Sequence, residues 1–125
     1  MQQRGRKSAA ALAVVSSTAG GRLAPPPSLT EDQRNVWLRT VNAKPPDWFS
    51  DEHVPLLEAY CRHVTFAATI ARALAKVDPE WLLSDEGIAR HERLYKMHDR
   101  EERAISALAT RMRLTQQSID KNGEM

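Results

Sequence analysis

With 125 residues the chain has the length of a single domain, and a composition of 27% charged and 42% hydrophobic residues is that of a folded protein rather than a disordered one. Aromatic residues make up only 6% and there are five glycines, which favours an all-helical fold. The single cysteine, Cys61, excludes an intramolecular disulfide and a metal site built on paired thiols, so a reducing compartment is expected.

The first 28 residues are basic and contain no acidic side chain. Their positive charges lie on Arg4, Arg6, Lys7 and Arg22. The remaining 97 residues hold 14 basic and 16 acidic side chains, so a basic arm precedes a slightly acidic body. We predict that residues 1–28 form a Gly/Pro-rich arm, largely flexible or weakly helical, whose four basic side chains suit contact with phosphate or with a lipid surface. A solvated terminus without a ligand is the alternative.

Two other interpretations of the arm are disfavoured by its apolar stretch. Residues 9–15 meet the description of a signal peptide only at its minimum, and the body lacks the disulfides typical of small secreted domains. Leu12 is the only bulky side chain between Lys7 and Val14, so a membrane-surface helix would lack large apolar anchors. No stretch approaches the ~20 apolar residues of a membrane span. We expect no membrane contact, with a secreted helical protein lacking residues 1–19 as an alternative.

The first helix of the body is predicted over about residues 31–42. Thr30 and Gln33 have the spacing of a capping box, and an apolar face follows them. The sequence Lys44-Pro45-Pro46 ends this helix because proline cannot continue it.

Two longer helices are predicted over about residues 51–77 and 85–113. Ser50 and Ser84 are their N-caps, Pro55 is accommodated with local distortion, and Leu83 can pack on Ile88 as a hydrophobic staple. No alternating run of β-branched residues predicts a strand. Since a short connection joins two helices of similar length, we predict an all-α fold: a long antiparallel helical hairpin preceded by a short helix. Residues 29–113 then form a helical oligomerisation domain, and residues 114–125 a tail with a short helical turn.

The helix predicted over 51–77 has two adjoining apolar stripes. The first consists of Val54, Leu57, Cys61, Val64, Ala68, Ala71 and Ala75. The second stripe consists of Leu56, Tyr60, His63, Ala67, Ile70, Leu74 and Val77. A helix with two apolar stripes needs two partners, of which the hairpin supplies one. The helix over 31–42, at ~18 Å, is too short to cover a ~40 Å helix, so we predict that the second stripe is an oligomer interface. Coverage by the short helix alone is the alternative.

No pattern in the sequence indicates catalysis. His91 and His98 share a helix face but would lie ~10 Å apart, too far to bind one metal ion together. The segment "SSTAGGR" lacks the spacing of a phosphate-binding P-loop, and no G-x-S-x-G motif is present. We therefore predict a protein that is not an enzyme, with no catalytic residue, metal or cofactor.

The order of these features resembles the small subunit of tailed-phage terminases. The residues that carry the resemblance are Gly5-Arg6-Lys7, the alanine-rich stretch after it, Pro25-Pro26-Pro27, the short helix with Trp37, Leu57-Glu58-Ala59-Tyr60-Cys61 and Arg113-Leu114-Thr115. That family commonly has Gly-Leu-Thr-Pro in the last segment, where this chain has Arg113 and Gln116 in place of the glycine and the proline. A helix-turn-helix precedes the hairpin in several members, and residues 1–28 are too short for one.

The resemblance implies a non-catalytic DNA-packaging factor, in which Arg4, Arg6, Lys7 and Arg22 would contact the phosphates of DNA. Its partners would be double-stranded viral DNA, the terminase large subunit that holds the ATPase and nuclease, and further copies of the chain in a homo-oligomeric ring. Its location would be the cytoplasm of the bacterial host cell. A small helical adaptor that binds only protein is the alternative from another functional class.

Overall fold

The computed structural model describes residues 21–115, and every regular element in that range is helical. We number the α-helices α1 (Glu31–Asn42), α2 (Val54–Ala75) and α3 (Asp85–Arg111). Short 3₁₀ helices, Asp51–His53 and Pro79–Leu83, precede α2 and α3. Helices α1 and α3 both pack on α2. The prediction of an all-helical protein is confirmed for the described residues.

Helix α1 begins and ends where its capping residues and the following prolines predict. The Thr30 hydroxyl accepts a hydrogen bond from the backbone N–H of Gln33 at 3.2 Å, and the Gln33 side-chain oxygen accepts one from the N–H of Thr30 at 3.0 Å. This confirms the capping box, which satisfies two N–H groups that a helix start otherwise leaves without partners. The helix ends at Asn42, just before the Lys44-Pro45-Pro46 sequence.

Helix α2 begins three residues later than the sequence predicts. The N–H of Ser50 donates to Nδ1 of His53 at 3.0 Å, and Asp51–His53 forms a 3₁₀ turn. Pro55 lies in the first turn of the α-helix, where its missing N–H costs nothing because that position has no intrahelical acceptor. An α-helix starting at Asp51 would instead place Pro55 where it needs to donate.

The end of α3 is closed by two backbone hydrogen bonds. The N–H of Arg113 donates to the carbonyl of Thr110 at 3.0 Å, and that of Leu114 donates to the carbonyl of Ala109 at 2.8 Å. Arg113 has a φ of 58°, in the left-handed region. This combination is a Schellman motif, which satisfies carbonyls that the last helical turn leaves free. Helix α3 therefore ends at Arg111, two residues before the predicted limit.

The core lies where α1, the first half of α2 and the last turns of α3 meet. Trp37, Leu57 and Cys61 are fully buried there, and Met112 is 1% exposed. The indole N–H of Trp37 donates to the carbonyl of Leu23 at 3.1 Å. Because Leu23 itself is buried, part of the segment assigned to the arm belongs to the packed body, and the arm must end before residue 23 rather than at residue 28. Among residues 21–115, no helix has both the length and the hydropathy of a membrane span.

Candidate nucleic-acid interface

Basic side chains gather around Trp48, in the loop between α1 and α2. The indole N–H of Trp48 donates to the carbonyl of Met112 at 3.0 Å, which fixes the ring against the end of α3. Lys44 Nζ lies 4.9 Å from the ring centroid, and the guanidinium carbon of Arg113 lies 4.6 Å from it. Both distances suit cation–π contacts, so we call Arg22, Lys44, Trp48 and Arg113 the Trp48 cluster.

Lys44 is a buried cation with an internal role. The residue is only 6% exposed, and its Nζ donates to the carbonyl of Leu114 at 2.7 Å. A charged donor on a carbonyl forms a short, strong hydrogen bond, and the Trp48 ring adds to the stabilisation of the buried charge. Lys44 thus ties the residues after α3 to the loop after α1.

Arg22 also has a contact inside the protein. Its Nη2 donates to the carbonyl of Lys44 at 3.0 Å, and the residue is half-buried. The sequence predicts Arg22 as a phosphate contact, and the structure places it at the Trp48 cluster instead of on a separate arm. The other three residues predicted to contact DNA, Arg4, Arg6 and Lys7, lie outside the described residues.

Arg113 is the exposed cation of the cluster. Its guanidinium is held over the indole while the residue remains open to solvent. A guanidinium positioned in this way suits a phosphate oxygen, because its N–H groups form a planar, always charged fork. Arg111 is exposed two residues earlier, whereas the exposed Asp47 next to Trp48 opposes anion binding. The cluster can therefore contribute to a phosphate-contacting surface through Arg113.

Sequence reasoning missed the Trp48 cluster. Lys44 and Leu114 are 70 residues apart, and Trp48 and Met112 are separated by 64. From the sequence, Lys44 is interpreted only as part of the signal that ends α1, and Arg113 only as a departure from the family's pattern. No local signal marks either as a partner of Trp48.

The second stripe of α2 faces α3 within one chain. Ala67 and Ile70 are 5% and 3% exposed, and His63 Nδ1 lies 2.6 Å from Oε1 of Glu101 on α3. Leu74 lines a cleft with Tyr95 and His98 of α3. Leu56 and Tyr60 are half-buried against the core, and Val77 follows the helix. Whether these residues also contact another copy stays a prediction, but Ala67 and Ile70 have little surface left to bury.

The face of α2 that remains exposed is a different one, and it is basic. Arg62, Phe66, Thr69 and Ala73 are all exposed and lie on one side of the helix. Phe66 keeps 45% of its surface in solvent. Between residues 59 and 77 the chain has three basic side chains, Arg62, Arg72 and Lys76, and no acidic one. This face is the surface of α2 that a partner could cover.

Titratable groups at the core have no reactive character. Burial raises the pKa of the Cys61 thiol to about 12, and neighbouring Arg62 lowers it only in part. Burial also raises the pKa of Tyr60. Since the thiolate is the nucleophilic form, Cys61 is an unreactive buried thiol at neutral pH.

The two helix histidines considered as metal ligands have other neighbours. His98 Nε2 lies 3.5 Å from the Glu102 carboxylate, and the His91 ring stacks on Tyr95 with 6.2 Å between centroids. Over residues 21–115, no group of three or more His, Cys, Asp or Glu side chains is arranged to hold a metal ion.

Comparison of the chain with protein-family models, with curated proteins and with solved structures found no match in any of the three.

Proposed function

We propose that this chain is a small terminase subunit: a non-catalytic, DNA-binding oligomer that recognises viral DNA for packaging and recruits or regulates the large ATPase and nuclease subunit. It would act in the cytoplasm of a bacterial host cell as a ring of copies. The building unit of that ring would be an antiparallel hairpin of α2 and α3, with α1 packed against its open end.

The observation that carries the proposal is where the basic N-terminal segment joins the body. Arg4, Arg6 and Lys7 precede residue 22, and Arg22 bonds to the backbone of Lys44 in the Trp48 cluster. The exposed guanidinium of Arg113 lies at the same cluster. An exposed cation, Arg113, therefore lies next to the point where the basic segment enters the body. We expect Arg4, Arg6 and Lys7 to add phosphate contacts to a duplex whose backbone carries regularly spaced negative charges.

The order of contacts between α2 and α3 supports the hairpin. Cys61, early in α2, shares the core with Leu108, late in α3. His63 meets Glu101, and Leu74, near the end of α2, lines a cleft with Tyr95. Partners thus run to lower numbers on α3 as they run to higher numbers on α2. Helices of 22 and 27 residues would give an elongated unit roughly 33–40 Å long.

The backbone at Arg113 supports the resemblance at its weakest point. The resembled family commonly has glycine at this position, and Arg113 has a φ of 58°, the left-handed conformation that glycine adopts without strain. Arg113 therefore differs from the family's glycine in its side chain, but its backbone has the conformation that a glycine at this position would adopt.

A DNA-binding measurement tests the proposal directly. We would measure the affinity of the full chain for duplex DNA by fluorescence anisotropy over a range of salt concentrations, for the wild type and for Arg4→Ala/Arg6→Ala/Lys7→Ala. If three phosphate contacts per chain are lost, the slope of log affinity against log salt falls by about 3 per chain. A matched control, Arg93→Ala/Lys96→Ala/Arg100→Ala, removes the same charge from exposed positions of α3.

Arg22 is left out of the test variant because its hydrogen bond to the carbonyl of Lys44 gives it a structural role, so that its loss would change more than the charge. A larger loss of affinity and slope in the arm variant than in the α3 control supports the proposal. Equal losses, or a wild type that does not bind DNA at low salt, contradict it. A folded chain that binds no DNA would favour the protein-binding adaptor, for which the 84% exposure of Leu83 is the supporting observation.

A further inference from the structure

We propose that the connection between α2 and α3 of one copy docks into a cleft between α1 and α2 of a second copy. This inference rests on the self-association in the proposed function and identifies the surfaces that would make it. The first surface, the tip, consists of Leu82, Leu83 and Ile88 with the surrounding carboxylates of Asp78, Glu80, Asp85 and Glu86. The second, the α1–α2 cleft, is lined by Thr30, Gln33, Arg62, Phe66 and Thr69, and also by Asp32.

The tip exposes large apolar side chains on a well-defined backbone. Leu82, Leu83 and Ile88 are 55%, 84% and 44% exposed. Pro79–Leu83 is a 3₁₀ helix in which the N–H of Glu80 donates to the Asp78 carboxylate at 3.0 Å. The guanidinium of Arg90 lies 4.6 Å from the centre of the Trp81 ring. An ordered apolar surface of this kind, rimmed by charge, is typical of a protein contact.

The cleft offers the complementary chemistry. It is a shallow space of about 400 Å³ beside Phe66, a ring that is 45% exposed. Arg62 lines it, and Arg72 donates to Thr69 at 3.2 Å on the same side of α2. From residue 77 to residue 90 the chain has four acidic side chains and one basic one, Arg90, whose guanidinium lies over Trp81, whereas from 59 to 77 it has three basic and no acidic ones. Leucines of the tip would cover Phe66 while the carboxylates approach the arginines.

A tip that docks into the cleft must come from another copy, because a chain cannot reach its own cleft with its own tip. Phe66 lies nine residues before the end of α2 at Ala75, a distance of roughly 14 Å along the helix. The tip is held at that end, where the Trp81 carbonyl packs on Gly87 at the start of α3. Moving it to Phe66 would require α3 to leave α2.

The pairing joins two different surfaces, so it is heterologous. Each copy would use its tip on one neighbour and its cleft on the other, which gives a closed ring or an open filament according to the rotation between neighbours. Because every contact in a closed ring is reinforced by the rest, a small individual contact suffices for a stable assembly.

The test uses one variant for each surface and a mixture of the two. Leu83→Ser removes the most exposed apolar side chain of the tip, and Phe66→Ser removes the aromatic ring of the cleft. Tyr95→Ser serves as the control because Tyr95 is 64% exposed but belongs to neither surface. Assembly of each full-length chain is followed by sedimentation velocity and native mass spectrometry, and thermal unfolding checks that each variant is folded. We expect Leu83→Ser and Phe66→Ser each to weaken association about 10- to 100-fold, and Tyr95→Ser to leave it unchanged.

The mixture identifies the pairing. Leu83→Ser keeps its cleft and Phe66→Ser keeps its tip, so together they should form a one-to-one dimer that cannot grow. Assembly of both variants at wild-type strength, or a mixture that forms larger species, would overturn the proposed docking and leave the DNA-binding proposal standing. A wild type that stays monomeric overturns the docking and the ring together, whatever the DNA measurement gives.

Discussion

Arg113 ends α3 in a backbone conformation that does not suit its side chain. Its φ of 58° is in the left-handed region, where a residue with a Cβ is destabilised by about 1–2 kcal/mol. Two hydrogen bonds of the Schellman motif and the contact of the guanidinium with Trp48 hold it there. Sequence patterns alone place a helix end near residue 113, but they do not show which residue is left-handed, because glycine is the usual marker and is missing here.

Replacing Arg113 with glycine and with alanine separates the backbone from the side chain. Both variants lose the guanidinium and its contact with Trp48, but only glycine relieves the left-handed strain. We therefore expect Arg113→Gly to have a free energy of unfolding about 1 kcal/mol higher than that of Arg113→Ala in urea titrations. Equal stabilities of the two variants would mean that the strain at this residue is negligible.

The number and type of the three helices could be predicted from their caps, prolines and apolar spacing, but α2 is shorter than predicted, with 22 residues (Val54–Ala75) instead of the span 51–77. What the sequence did not predict is how the short connections fold, since these depend on contacts between elements. The start of α2 moved from residue 51 to Val54 because Pro55 suits the first helical turn and not the second. The staple expected between Leu83 and Ile88 does not bury Leu83, which is 84% exposed at the end of a 3₁₀ helix.

The first turn of α3 depends on glycine at residue 87. A Cβ built on Gly87 would lie 2.0 Å from the backbone oxygen of Trp81, and backbone cannot move aside as a side chain can. Glycine to alanine inside a helix normally stabilises it by about 1 kcal/mol. We expect the opposite sign here: Gly87→Ala lowers the free energy of unfolding by about 1–3 kcal/mol in chemical denaturation, because the connection must shift to relieve the overlap. A stabilised variant would show that the Trp81 turn is not packed on α3 as described.

Across the whole molecule, the Trp48 cluster joins parts of the chain that are far apart in sequence. The sequence shows that the N-terminal segment is basic, and the hydrogen bond from Arg22 to Lys44 shows where the end of that segment packs on the body. The position of Lys44 could not be predicted, because its partner Leu114 is 70 residues away and an isolated lysine is normally exposed. Of the predicted site residues, only Arg22 lies among the described residues, where it bonds to Lys44. The roles of Arg4, Arg6 and Lys7 stay predictions.

Removing the charge of Lys44 tests how much the cluster contributes to stability. Lys44→Met keeps the length of the side chain but loses the hydrogen bond to Leu114 and the contact with Trp48. We expect the free energy of unfolding to fall by about 2–3 kcal/mol in urea titrations, since the carbonyl loses a charged donor. Lys76→Met, at an exposed position directly after α2, is the control and should change stability by less than about 0.5 kcal/mol. Similar effects of the two substitutions would contradict an internal role for Lys44.

Lys44 also brings the two limits of the described chain together. Its backbone carbonyl accepts a hydrogen bond from Arg22, and its side-chain ammonium donates one to the carbonyl of Leu114, so residues 22 and 114 both bond to this one residue. A packed body whose first and last described residues lie close together is suited to circular permutation. In a variant that omits residues 1–20 and 116–125, a short linker from residue 115 to residue 21 would close the backbone, and new termini could be opened in the connection between α2 and α3. Such a rearranged chain should keep the same helices and core while reversing which pole of the molecule carries its free ends.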